Sequence, residues 1–125
     1  MNIPENLRYS SHDEWVRVEG DFVVVGITDF AQDQLGELVH VELPEVGDAL
    51  EAGEEVCEVE SVKAVAEVYS PLGGEVVEVN TSLEDEVEKI NEAPYDSWLF
   101  KLKMSDESGL EALMSAEDYR AKVGA

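Results

Sequence analysis

Lys63 is the residue in "CEVESVKAVAEVYSPLGGEV" (residues 57–76) whose chemistry stands apart from its surroundings. It is a lone amine in a run of Val and Glu, with no other basic residue nearby. A Schiff-base or nucleophilic lysine needs a neutral amine, which burial or a neighbouring cation supplies. Here the neighbours are Glu58, Glu60 and Glu67, and negative charge stabilises the ammonium instead. Two readings remain: a surface lysine in an acidic field, or a lysine that is itself a substrate, acylated by another enzyme. In the second, small flanking residues such as Ser61, Ala64 and Ala66 on rigid strands let a modifying enzyme close over the side chain.

Other candidates carry less. Cys57 with His12 or His40 lacks the positive surroundings that activate a thiol, and a Cys in an alternating Val strand packs as core. As the single cysteine it forms no internal disulfide and no zinc-spaced cluster. The two histidines have no His-x-x-x-His spacing, and no EF-hand loop occurs. With 30 acidic residues, pairs of Glu arise by chance and do not mark acid–base catalysis. Trp15, Tyr69, Trp98 and Phe100 are expected as core aromatics rather than a binding box. None of these groups points to an independent enzyme.

The elements that must position Lys63 are strands. Apolar residues alternate with others through "WVRVEGDFVVVGI", "LVHVELP", "EEVCEVE", "AVAEVYS" and "GEVVEVN", broken by Gly and Pro turns. This reads as an all-β sandwich or barrel with one polar face per strand. "GITDFAQDQLGEL" changes period: Thr28 caps, Asp29 complements a helix N-terminus, Phe30, Ala31 and Leu35 share a side, and Gly36 stops a short helix. Ser108-Gly-Leu-Glu111 and Ser115-Ala-Glu-Asp118 predict two short capped C-terminal helices. Pro44-x-x-Gly47 is echoed by Pro71-x-x-Gly74, with Val41, Leu50 and Val56 at the same offset from Val68, Val77 and Leu83, a hint of two related half-sheets.

At 125 residues and 44% hydrophobic composition, the chain is expected to fold as one domain, residues 1–125. No apolar run approaches the ~20 residues of a membrane span, and "MNIPENLRYS" does not read as a secretory signal, so a soluble cytoplasmic protein is expected. Lys and Arg number 8 against 30 Asp and Glu, a net charge of −22. A field of that sign repels phosphate backbones and anionic lipid, which disfavours nucleic acid and membrane surfaces as partners. The acids are interspersed with apolar residues, as on solvated strand faces, and suggest a halophilic source.

With "VESVKAVAEVYSPLGGEVVEVN" the chain resembles the glycine cleavage system H proteins, the lipoyl-carrying members of the biotinyl/lipoyl domain superfamily. The likeness extends to "HDEW" (12–15), "GITDFAQDQLGELVHVELPEVG" (26–47), "NEAPYDSWLFKLK" (91–103) and "LEALMSAEDY" (110–119). Glu60-Ser61-Val62-Lys63-Ala64 matches the family's attachment motif, flanked by Gly53 and Gly74. The Met-Lys-Met centre of biotin carriers and the Asp-Lys-Ala centre of 2-oxoacid dehydrogenase lipoyl domains are absent. Three departures stand out. His12-Asp13-Glu14-Trp15 replaces His-Glu-Trp, Val65-Ala66-Glu67 replaces Ala-Ser-Asp, and Pro94-Tyr95-Asp96-Ser97-Trp98 is one residue shorter than the usual Pro-Tyr-x-x-Gly-Trp.

The resemblance implies a mainly β hammerhead, or barrel-sandwich hybrid, with Lys63 at the tip of a tight hairpin. Val62-Lys63 is not itself a strong two-residue turn, for which Asn-Gly is favoured. It also implies a non-catalytic carrier with lipoic acid in amide linkage to Lys63. Such a carrier takes the aminomethyl group of glycine from the P protein (glycine decarboxylase) to the T protein (aminomethyltransferase), and reducing equivalents to the L protein (dihydrolipoamide dehydrogenase). A lipoate ligase or octanoyl/lipoyl transferase would modify it, and a monomer is expected. The family shelters its loaded arm in a cleft of the carrier, which on this chain would draw on Glu14 and Glu67 unless both are ordinary solvated acids. A second role keeps the arm and changes its use: relay of lipoyl or octanoyl groups, or service to another lipoate-dependent pathway.

The acidity yields a test of its own. Salt screens self-repulsion, so the melting temperature is expected to rise between low and molar salt, read by circular dichroism. A flat profile would remove the halophilic reading.

Overall fold

The computed structural model of the protein describes residues 1–124. In chain order its regular elements are β1 (Arg8–Tyr9), β2 (Glu14–Glu19), β3 (Phe22–Ile27), α1 (Asp29–Leu35), β4 (Leu38–Val41), β5 (Ala49–Leu50) and β6 (Glu55–Ser61). Then come β7 (Val65–Tyr69), β8 (Gly74–Val79), a 3-10 turn (Thr81–Glu84), α2 (Glu88–Glu92), β9 (Phe100–Met104), a second 3-10 turn (Glu107–Ala112) and α3 (Ala116–Val123). The strands form a six-stranded sheet ordered β1-β2-β3-β9-β8-β5 and a three-stranded sheet ordered β4-β6-β7. Every pairing is antiparallel. Among the described residues no helix is long and apolar enough to cross a membrane.

One core, built from residues such as Val16, Val25, Val59, Val68, Val76 and Leu102, joins both sheets. A second lies on the other side of β3, where Ile3, Leu7, Tyr9, Trp15, Val24 and Tyr119 pack together. The expectation of one polar face per strand therefore fails for β3. Val23, Val24 and Val25 are all fully buried, because the N-terminal segment and α3 cover the face that an open sheet would give to water. The register puts Trp15 opposite Gly26, and a Cβ at Gly26 would sit 2.6 Å from the indole ring. That close approach is the physical reason for a glycine within the apolar run.

Strand β6 does keep the alternation. Cys57, Val59 and Ser61 are buried while Glu55, Glu58 and Glu60 are exposed. Cys57 is core as expected, and burial pushes its thiol up to about 12. Of the four aromatics expected in the core, Trp15 and Phe100 are there. Trp98 and Tyr69 are only half-buried, Trp98 under the Lys101 amine and Tyr69 under the His12 ring.

Helix expectations fare unevenly. Thr28 caps α1 by accepting from the Ala31 N–H, Gly36 ends it at φ 80°, and Ser115 caps α3 by accepting from Asp118 N–H. The segment at Ser108 is a 3-10 turn, and its cap is Asp106, whose carboxylate accepts from Ser108 N–H at 2.9 Å. The Pro-x-x-Gly echo places β4 and β7 on either side of β6, and stops at Leu83, which lies in a 3-10 turn where Val56 lies in a strand. Helix α2 had no counterpart in the apolar periodicity, because its five residues are too few to show one.

The β6–β7 hairpin pairs Glu60 with Val65, leaving Ser61 to Ala64 as its tip, with Val62 and Lys63 in the middle. Neither central residue has positive φ, so this is not a turn of the Asn-Gly kind. The Ser61 hydroxyl supplies what the turn residues lack. Its oxygen accepts from the Lys63 N–H at 3.3 Å and the Ala64 N–H at 3.0 Å, and it donates to Ala64 O at 3.1 Å. Ser61 N–H donates to Ala64 O at 2.7 Å, and Val62 N–H donates across to Glu37 O at 3.0 Å. Every N–H of the tip is thereby satisfied. Ser61→Ala removes three of these contacts and is expected to cost about 1–2 kcal/mol in urea unfolding at unchanged slope. Ser61→Thr should retain most of that, and an unchanged midpoint for the alanine variant would refute the hydroxyl's role in the turn.

Candidate functional site

The hairpin tip gathers Glu60, Ser61, Val62, Lys63 and Ala64, and it sits beside the end of α1. A Cβ built on Gly36 would lie 3.6 Å from Lys63 Cε, so the lysine stem runs over the glycine that closes the helix. Asn91 of α2 fixes that end. Its amide donates to Gly36 O at 2.8 Å and to Gln32 Oε1 at 3.0 Å, and its carbonyl accepts from Leu38 N–H at 2.9 Å. At the opposite end of α1, Thr28 N–H donates to Asp13 O at 3.0 Å. Seven helical residues, about 10 Å, thus span from the Ser10–Glu14 loop to Lys63.

Along this span lies a cleft of about 170 Å³. Ala31, Gln34 and Leu35 of α1 form one wall, Ala66, Glu67 and Val68 of the edge strand β7 another, and His12, Asp13 and Glu14 close the far end. Ile27 and Val59 give it an apolar floor. Exposed Val62 and Val65, 69% and 58% accessible, stand on either side of the tip near Lys63. Glu60 points outward opposite Val65 and His40, away from the buried face of its strand.

Glu14 and Glu67, the two acids singled out in the sequence, both line this cleft, in unlike environments. Glu67 is exposed and accepts from the Tyr69 hydroxyl at 2.6 Å, which raises the Tyr69 pKa. Glu14 is 1% accessible, so the reading of it as an ordinary solvated acid is wrong. Its Oε1 accepts from Ser10 Oγ at 2.5 Å and its Oε2 from Tyr69 N–H at 3.2 Å. Burial pushes its carboxyl up to about 7, although both hydrogen bonds favour the anion. Tyr69 therefore serves both acids, through its amide for Glu14 and its hydroxyl for Glu67. No sequence pattern marks Ser10, Tyr69 or Asn91 for these contacts: the Tyr69 amide meets Glu14 from 55 positions away, and Asn91 meets Leu38 from 53. Asp13 carried a weak signal: it interrupts the His-Glu-Trp pattern, and its φ of 68° is the one left-handed value among the described non-glycine residues.

The comparisons with known proteins agree with this architecture. The glycine cleavage H-protein family model matches residues 7–125. The chain is 51% identical over 125 residues to the glycine cleavage system H protein of Staphylococcus carnosus, covering 99% of each chain. It is 54% identical over 123 residues to that of Halalkalibacterium halodurans, covering 98% of this chain and 96% of the other. A crystal structure of the H protein from Mycobacterium marinum superposes with a TM-score of 0.91 at 38% identity, over 98% of this chain and 100% of that one. The fold, the lysine-bearing hairpin and the match along almost the whole chain lead to one conclusion: the protein belongs to the glycine cleavage H-protein family.

Proposed function

We propose that Lys63 is the lipoyl attachment point, and that this chain serves glycine cleavage as a carrier without catalytic residues of its own. The observation that carries the reading is the position of Lys63: exposed on a braced hairpin tip, with its stem over Gly36, the residue that follows Leu35 of the cleft wall. The residues present fit the group. The apolar floor suits an acyl chain, and the acids at the far end suit a cationic terminus. When bound at Lys63, the lipoyl group would supply a sulfur pair suited to carrying an aminomethyl group between the P and T proteins and reducing equivalents to the L protein. Its ligase or transferase would approach the tip, where Ser61 holds the backbone and small Ala64 leaves room.

The chain's own residues then bind, orient and exclude water. Tethering makes each transfer local once a partner docks. Glu14 as an anion, together with Glu67, offers charge-assisted acceptors to an ammonium brought into the cleft. A role in acyl relay uses the same attachment with other partners, and glycine–bicarbonate exchange with a cognate P protein separates the two. The first test is intact and tryptic-peptide mass on protein from its native host, with Lys63→Ala as control. A lipoyl mass on the Lys63 peptide is expected, and an unmodified lysine in cells that lipoylate other proteins would overturn the proposal.

Glu14 adds a pH-dependent prediction. Its folded pKa, about 7, lies above the ordinary 4.5, so between these values the unfolded chain releases a proton that the folded chain keeps. Stability from this group is therefore full below 4.5, falls as pH rises to 7 and is level beyond. Glu14→Gln should remove that slope from urea midpoints measured across the range. A carbon-NMR titration of the Glu14 carboxyl with an ordinary midpoint would contradict it.

A further inference from the structure

The last helix, α3, lies away from the hairpin tip, yet one of its atoms is bonded to two separate parts of the cleft's framework. Tyr119 is fully buried. Its hydroxyl lies 2.9 Å from Asp13 Oδ1 and 2.7 Å from Thr28 Oγ1. Since Asp13 is an acceptor, the chain of donors has one sense: Thr28 O–H to Tyr119 O, then Tyr119 O–H to Asp13. Thr28 Oγ1 keeps a lone pair for Ala31 N–H at 3.1 Å. The phenol thus joins the loop that carries His12 and Glu14 to the cap of the helix that carries Ala31, Gln34 and Leu35.

Asp13 needs such a partner. A non-glycine residue at φ 68° persists where its surroundings hold it, and α3 brings Lys122 Nζ to 3.8 Å from the same carboxylate oxygen. The Tyr119 ring is fixed in turn by stacking on Tyr9, with centroids 4.7 Å apart and planes 9° from parallel. We infer that Tyr119 is a positioning residue: its hydroxyl, delivered by α3, holds the Ser10–Glu14 loop and α1 at the spacing that shapes the cleft for the arm of Lys63. Its link to a sheltered arm rests on the function proposed above, whereas its link to the two walls does not.

Tyr9→Phe is the matched control. It removes a hydroxyl from the same stacked pair, one that donates to Pro4 O at 2.6 Å and to neither wall. Amide exchange on the unmodified protein is the first readout, with β8 and β9 reporting global opening. Tyr119→Phe is expected to speed exchange about tenfold in the Ser10–Glu14 loop and the first turn of α1, relative to those strands, while Tyr9→Phe leaves both walls unchanged. Equal effects from the two variants, or none from Tyr119→Phe, would overturn the inference. The second readout is the rate at which lipoylated protein, loaded by the P protein, loses its carried group to solvent. A several-fold rise for Tyr119→Phe alone is expected, and no rise overturns the link to the arm. If the unsubstituted carrier loses its group as fast as free aminomethylated dihydrolipoamide, the sheltering reading fails, and exchange by itself decides the role of Tyr119 at the walls.

Discussion

The Thr28 amide donating to Asp13 O at 3.0 Å and the Asn91 amide donating to Gly36 O at 2.8 Å hold the two ends of α1. Seven residues of helix have little stability of their own, and α1 has no fully buried side chain to anchor it. Its place is set by those end contacts and by half-buried Ala31 and Leu35 against the core. Because α1 is held there, a cleft opens between it and β7, and the Lys63 stem meets Gly36 at the end of the helix.

The distribution of polar groups follows from which faces the sheets expose. Most of the net −22 resides on outward positions such as Glu55, Glu58 and Glu60 of β6. Glu58 even stands opposite Glu67, a like-charged cross-strand pair that costs stability where salt does not screen it. Glu14 is the exception, buried because β2 enters the sheet beneath the edge of β7. The unpaired amide of Tyr69 on that edge finds its acceptor in Glu14. The carboxyl that accepts from this strand edge is also one that lines the cleft.

The hairpin illustrates how a site can be rigid without a favoured turn sequence. Val62 and Lys63 have no special turn chemistry, and the geometry falls to the Ser61 hydroxyl and to Glu37 O across the way. That leaves the two central side chains free of structural duty. Both project to solvent, where a lysine can be modified and a valine can meet an enzyme's surface.

Local chemistry made much of this legible in the chain. Period-two alternation marked β6, β7 and β8, Thr28 and Gly36 bounded α1, Ser115 opened α3, and the Glu60–Ala64 motif carried the family resemblance. Each signal acts over a few neighbouring residues, which is why sequence reaches it. Contacts between distant positions were decided only by the tertiary structure. Burial of both faces of β3 required α3 and the N-terminal segment to fold over it, and the loss of solvent around Glu14 required β7 to pass above it. The meeting of Asp13, Thr28 and Tyr119 at one oxygen joins residues up to 106 positions apart. Desolvation and hydrogen bonding depend on what packs against a group, so a residue's type alone could not say that Glu14 is buried or that Tyr119 reaches the cleft's frame.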